Sequence, residues 1–231
     1  MAHFDLSLLL TGQYREWLLA GLRLSLELTA IALVLALPLA VTVALMRLSP
    51  VRFLRAIGLS FVEGIRNVPL LVHMLFWYFG APELLPESLR QRLNEGNFEA
   101  LSAIVALTLY TAAYMSEDIR SGVRAIPTVQ LEAGRALGFG YLASMRLIVL
   151  PQAVRIIVPP LISQTLNLWK NTSIATVIGV GELMYQAAKV EAASFRSAEA
   201  FSFATISYLS VSLIITGIAA WYQHRHPLRT A

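Results

Sequence analysis

Asn167, Lys170, Asn171, Thr172 and Ser173 place two amides, an ammonium and two hydroxyls within seven residues of one another. Such groups break no bonds by themselves, but they recognise polar solutes. Ammonium, amide and hydroxyl donors suit a carboxylate, while carboxylates and carbonyls suit an ammonium. Arg66 and Glu117 add one charge of each sign inside otherwise apolar stretches, so Lys170 with Glu117 can serve the two ends of an amino acid. The same charges have a plainer use, because Glu63 with Arg66 and Glu117 with Arg120 stand at i, i+3 and can neutralise each other on one helix. Arg66, Glu117, Asn167, Lys170, Asn171, Thr172 and Ser173 are the candidate substrate pathway.

Other chemistries lack their parts. Without cysteine the chain has no disulfide, thiolate nucleophile, cysteine zinc site or cysteine-ligated iron–sulfur cluster. His3, His73, His224 and His226 show no metal-ligand spacing beyond the tail pair, and no metal is expected. There is no Walker phosphate loop, Gly-x-Ser-x-Gly or His-Glu-x-x-His, so hydrolysis of ATP or peptides is not expected of this chain. It does not read as an enzyme.

The elements that position these residues are membrane spans. Of 231 residues 57% are hydrophobic and 14% charged, against about 25% charged in a soluble domain, and mean hydropathy is +0.64. Uncharged runs fall at Leu28–Met46, Ala100–Ser116 and Ala200–Gln223, each near the roughly 20 residues that cross hydrocarbon. A further span runs from Phe61 to Pro82 and carries Glu63 and Arg66. Another runs from Ile156 to Trp169, kinked by Pro159 and Pro160, with Asn171 to Gly181 as a short helix returning toward the outer surface. The expectation is an all-α membrane protein of about five transmembrane helices in a single domain over residues 1–231.

Arginine asymmetry orients it. Arg47, Arg52 and Arg55 follow span one, and Arg120, Arg124, Arg135, Arg146 and Arg155 follow span three, so both loops belong inside. Glu83, Glu87, Glu95 and Glu99 outnumber Arg90 and Arg92 between spans two and three, which belongs outside. The tail with His224, Arg225, His226 and Arg229 is basic and belongs inside, leaving the N-terminus outside. The net charge of +4 is thus spent on membrane topology rather than nucleic acid. Phe76, Trp77, Tyr78 and Phe79 read as an interfacial belt, as do Trp221 and Tyr222 at the opposite side.

Residues 117–151 form the most informative segment. Pro127 and Thr128 can start a short helix, with Thr128 as its cap, and Gly138 with Gly140 can end it after about two turns. Ala133, Gly134, Ala136 and Gly138 leave one side bare for the approach of another protein, while Glu132 and Arg135 offer polar contacts. An ordinary inter-span loop with helical propensity has the same composition.

The spacing of Glu132-Ala133-Gly134, Gly138, Ile148 and Leu150-Pro151 resembles the signature loop of ABC importer permeases. Around it, Ala113-Tyr114, Glu117, Ile119-Arg120, Pro151-Gln152-Ala153, Arg155, Pro159, Lys170-Asn171-Thr172-Ser173 and Arg66 with Pro69-Leu70-Leu71-Val72 resemble the polar amino-acid uptake branch, nearest its glutamate/aspartate members. The likeness covers Leu22 to Tyr222. Two positions depart from the pattern, Gly134 for the commoner Ala and His73 for the commoner Gln. The resemblance implies a multi-pass permease of the bacterial inner membrane, with Glu132, Ala133, Gly134, Gly138, Leu150 and Pro151 in a cytoplasmic coupling loop. It implies a second permease subunit, identical or not, two ATPase subunits that bind the ATP while this chain holds no cofactor, and an extracytoplasmic amino-acid-binding protein. An ATP-independent channel or carrier is the alternative from another class.

Overall fold

In the computed structural model, which describes residues 11–94 and 96–225, every regular element is helical. His3, Glu95, His226 and Arg229 lie outside the described residues. Helix α1 spans Gly12–Leu48, 37 residues or about 55 Å, well beyond the ~30 Å of hydrocarbon, so its charged first turns stand outside the apolar layer. It is followed by α2 (Arg52–Arg66) and α3 (Leu70–Leu75), which continues through a π-helical turn at Phe76–Gly80 and a 3-10 turn at Ala81–Leu84. Next come α4 (Glu87–Asn94), α5 (Phe98–Arg124) and α6 (Thr128–Ala136). α7 (Tyr141–Ser144) runs through a π-helical turn into α8 (Leu150–Asn171), and α9 (Leu183–Ser194) and α10 (Ser197–Arg225) complete the chain.

Among the described residues, four stretches are long and apolar enough to cross a membrane: Gly12–Leu48, Phe98–Arg124, Tyr141–Ile178 and Ser197–Arg225. The fifth differs from the expected continuous helix. Arg52–Arg66 and Leu70–Leu84 are bent by 100° about Asn67, Val68 and Pro69. Proline disfavours helical backbone at the residue before it and supplies no N–H. Ile65 therefore loses the donor that residue 69 would give in an unbroken helix. His73 Nε2 donates to the Ile65 carbonyl at 3.0 Å instead, alongside a longer bond of 3.3 Å from the Val68 N–H.

The other proline site behaves in the opposite way. α8 runs through Pro159 and Pro160 without a break and tightens after Asn171 into a 3-10 turn, Thr172–Ile178, that prolongs the same span. The expected returning helix does not start at Asn171. The chain turns at Gly179, whose φ of +85° is left-handed, and returns as α9.

α1 packs most extensively on α5. Ala32, Ala36, Ala40 and Ala44 form a fully buried stripe at four-residue spacing, facing a helix whose Ala103, Ala112 and Ala113 are equally buried. Small side chains let backbones approach where lipid offers no hydrophobic drive for helix association. Leu28, Met74, Leu107 and Leu168 fill one core cluster, and Leu18, Leu183, Ala187 and Val190 join α1 to α9 in another. Outward-facing Val34, Leu45, Leu213 and Ile214 are exposed, as side chains in contact with lipid are.

Candidate functional site: a polar cavity and an exposed short helix

A cavity of about 460 Å³ lies between α5 and α8. Tyr110, Thr111 and Tyr114 line it from α5, and Gln164, Asn167, Leu168, Lys170 and Asn171 from α8. On each helix these positions fall at spacings of three and four, which gathers them on one face. Tyr110 Oη donates to Tyr114 Oη at 3.3 Å, and the Arg66 guanidinium sits 4.8 Å from the Tyr114 ring centroid. Gln164 Nε2 donates to Asp118 Oδ2 at 3.0 Å, and its Oε1 accepts from Asn167 Nδ2 at 3.5 Å. The Lys170 ammonium has no acidic partner among the described residues. The chamber thus offers one free cation, three hydroxyls and three amides to a small polar solute.

The structure brings together only part of the expected pathway. Asn167, Lys170 and Asn171 line the cavity, and Arg66 stands behind Tyr114. Thr172 is buried and donates to the Trp169 carbonyl, while Ser173 donates to the Lys170 carbonyl, both at 2.8 Å. Glu117 does not meet Lys170. It lies 2.8 Å from Arg47 and 2.8 Å from Arg120. Adjacent residues on an α-helix point about 100° apart, so Glu117 faces α1 while its neighbour Asp118 faces α8 and the cavity wall. Of the two expected i, i+3 pairs, Glu117–Arg120 forms and Glu63–Arg66 does not, since Glu63 accepts from Asn67 at 2.8 Å. Sequence reasoning missed Tyr110, Thr111, Gln164 and Asp118. The signal available was the shared three-and-four spacing of Tyr110, Thr111 and Tyr114.

A second polar centre went unnoticed in the sequence. Glu182 is fully buried at the start of α9. It accepts from Tyr208 Oη at 2.8 Å, from the Tyr185 N–H at 2.9 Å, from Ser25 Oγ at 3.2 Å and from Thr176 Oγ1. Four separate segments are tied to one carboxylate.

The short helix α6 exists as expected, but Thr128 is its first residue rather than its cap, and Pro127 precedes it without a side-chain cap bond. At its end Gly138, at φ +84°, closes a Schellman motif: the Phe139 N–H donates to the Gly134 carbonyl and the Gly138 N–H to the Arg135 carbonyl, at 3.0 and 2.9 Å. The bare side expected to face a partner is turned inward at Gly134, which is buried against α7 and the π-helical turn. A Cβ there would lie 2.7 Å from Ser144 Oγ and 2.8 Å from Ile148 Cδ1. The departure from the commoner Ala thus fits this chain's own packing. Glu132, Ala133, Arg135 and Ala136 are exposed, beside exposed Leu137 and Leu142. Pro151 opens α8 and Leu150 is exposed.

Residues 32–226 match the family described as binding-protein-dependent transport system inner membrane component. The chain belongs to that family. It is 34% identical over 206 residues to the glutamate/aspartate import permease protein GltJ of Escherichia coli K12, covering 87% of this chain and 84% of that one. It is 39% identical over 185 residues to the probable glutamine ABC transporter permease protein GlnM of Bacillus subtilis, covering 80% and 82%. Among solved structures, the crystal structure of an amino acid ABC transporter with histidines superimposes with a TM-score of 0.85 at 27% identity, over 97% of this chain and 100% of that one. As a member of this family the chain is a multi-pass inner-membrane transport component with the ABC type I importer permease fold, and not an enzyme.

Proposed function

We propose that this permease is the membrane subunit of an ATP-driven importer of polar amino acids, and that the α5–α8 cavity holds the amino acid in transit. The observation that carries the reading is the composition of the cavity wall: one unpaired ammonium, Lys170, among amides and hydroxyls. A zwitterion finds a cation for its carboxylate and carbonyl or hydroxyl acceptors for its ammonium there. The relatives import glutamate/aspartate, glutamine and arginine by name. Lys170 as the charged lining group, with Arg66 behind the wall, supports an acidic substrate, glutamate or aspartate. Glu132, Ala133, Gly134, Gly138, Leu150 and Pro151 belong to the surface that couples transport to two ATPase subunits, which bind the ATP. A binding protein delivers the amino acid from outside to a pair of permease subunits, identical or not. The α6 end is cytoplasmic, which puts the start of α1 outside and the end of α10 inside.

Uptake by the complete complex in proteoliposomes tests this. Labelled glutamate uptake should be blocked by unlabelled glutamate and aspartate and not by glutamine, arginine or histidine, and Lys170→Ala should lower it about tenfold or more, with Lys170→Arg retaining part. Blockage by glutamine or arginine alone would transfer the chamber to that substrate. Transport without the ATPase subunits would overturn the importer reading itself.

A further inference from the structure

At the end of the bundle that carries α6, a second cavity of about 260 Å³ is lined by Arg47, Arg52, Arg55, Arg120 and Arg124. Three elements converge to make it: the last turn of α1, the first turn of α2 and the last turn of α5. The acid that reaches this group is Glu117, which engages Arg47 and Arg120 at 2.8 Å each. Arg52, Arg55 and Arg124 have no carboxylate partner among the described residues. Arg47 is nearly buried, and its Nη1, although 2.8 Å from Glu117 Oε1, is off the axis of a hydrogen bond and has no other acceptor among the described residues. Five guanidinium groups around one carboxylate leave the pocket strongly cationic. Guanidinium forks match the oxygens of phosphate.

The surroundings are apolar in a directed way. On α2, Gly58 and Val62 face the bundle, Arg52, Arg55 and Leu59 turn toward the pocket, and Phe53 and Ile57 point away from the packed face. Phe53 is 72% exposed. The helix therefore presents arginines next to side chains suited to acyl chains, the pattern of a helix lying in a membrane interface, and the 100° bend at Pro69 lets it leave the direction of the span that follows. A soluble phosphate would use the arginines alone, whereas a phospholipid uses both surfaces.

We infer that the arginine pocket binds the phosphate-bearing headgroup of an anionic phospholipid, with its acyl chains along Phe53 and Ile57. The inference rests on the membrane-spanning fold and not on which amino acid is carried, so its test reads lipid binding and never transport. The purified permease complex is examined by native mass spectrometry with phosphatidylglycerol, with phosphatidylcholine and with inorganic phosphate. Phosphatidylglycerol should be retained, phosphatidylcholine should not, and inorganic phosphate in excess should not displace the lipid. Arg52→Gln, Arg55→Gln and Arg124→Gln combined should weaken phosphatidylglycerol retention about a hundredfold, given three cations at the membrane surface. Arg15→Gln with Arg23→Gln, at the far end of α1, should leave it unchanged. Should the triple variant fail to assemble, a photoactivatable phosphatidylglycerol on the unmodified complex should label peptides containing residues 47–59 and 120–124. Equal retention by the triple variant, equal retention of phosphatidylcholine, displacement by inorganic phosphate, or labelling confined to other surfaces would each overturn the inference.

Discussion

Glu182 holds four donors and no cation among the described residues, which makes it the most consequential single side chain outside the cavity. Hydrogen bonds to a charged acceptor are worth about 1.5–3 kcal/mol each, and a donor left unpaired in the interior costs about 1–3 kcal/mol. Glu182→Gln keeps the shape but removes the charge, so Thr176 and Tyr185 donate to a neutral oxygen and the Ser25 and Tyr208 hydroxyls meet an amide N–H in place of a carboxylate oxygen. It should destabilise the purified complex by about 2 kcal/mol, read as a lowered apparent Tm. Ser25→Ala, which removes one of the four donors, should cost about 1 kcal/mol. A Glu182→Gln complex as stable as the parent would show that the carboxylate is not what holds α1, α9, α10 and the 3-10 turn together. This centre was invisible in the sequence because its partners lie 157 residues before it, six before it and 26 after it. The Glu117 assignment failed for a smaller reason: the sequence shows a charge, but one residue of helical rotation decides whether it faces Arg47 or the cavity.

At the scale of elements, prolines were the ambiguous signal. Pro159 and Pro160 pass within a helix, whereas Pro69 breaks one, and composition does not distinguish them. What differs is the compensation. At Pro69 the freed Ile65 carbonyl is braced from outside the helix by His73, whereas in α8 the donors that Pro159 and Pro160 cannot supply are those for the Arg155 and Ile156 carbonyls, and the helix continues without them. His73→Leu removes that brace and leaves the Ile65 carbonyl with only the longer Val68 bond, so it should cost about 1 kcal/mol, and His73→Gln should restore most of it because an amide N–H can donate in place of the ring. Thermal unfolding of the three complexes side by side checks this, and equal losses for Leu and Gln would reject it. The short helix α6 was legible from Pro127 and Gly138 because its limits are set by local backbone chemistry. Which face it buries was not, since that depends on Ser144 and Ile148 across a turn. For the coupling proposal the clean variant is therefore Glu132→Lys, which is exposed, and not a change at Gly138, where left-handed backbone strains any other residue. Binding-protein-stimulated ATPase of the assembled complex should fall at least tenfold in Glu132→Lys with assembly intact, and unchanged stimulation would remove Glu132 from the coupling surface.

At the scale of the whole molecule, hydropathy carries more information than any motif, because lipid penalises every unsatisfied backbone group and so forces helices of nearly fixed length. That is why the spans at Leu28–Met46, Ala100–Ser116 and Ala200–Gln223 were legible and appear inside longer helices, while the fourth and second spans, interrupted by prolines and charges, were legible only in outline. Their orientation rests on arginines. Arg47, Arg52, Arg55, Arg120 and Arg124 gather at one end of the bundle, and Phe98 at the other end of α5 stacks on Tyr78 with centroids 5.6 Å apart, close to the acidic segment with Glu83 and Glu87. Lys and Arg concentrate in cytoplasmic loops, and on that ground we propose that the arginine end lies inside. Ser49, half-buried, lies just after α1 at that end, and Ser88, exposed, lies in α4 at the other. The chain has no cysteine of its own, so single Ser49→Cys and Ser88→Cys variants report without background. In intact cells a membrane-impermeant maleimide should modify Ser88→Cys and not Ser49→Cys, and Ser49→Cys should become reactive in inverted vesicles. The reverse pattern would invert the orientation while keeping the spans. Modification of both from the same side would contradict the broken second span as a crossing, because α1 and α4 are separated by that element alone.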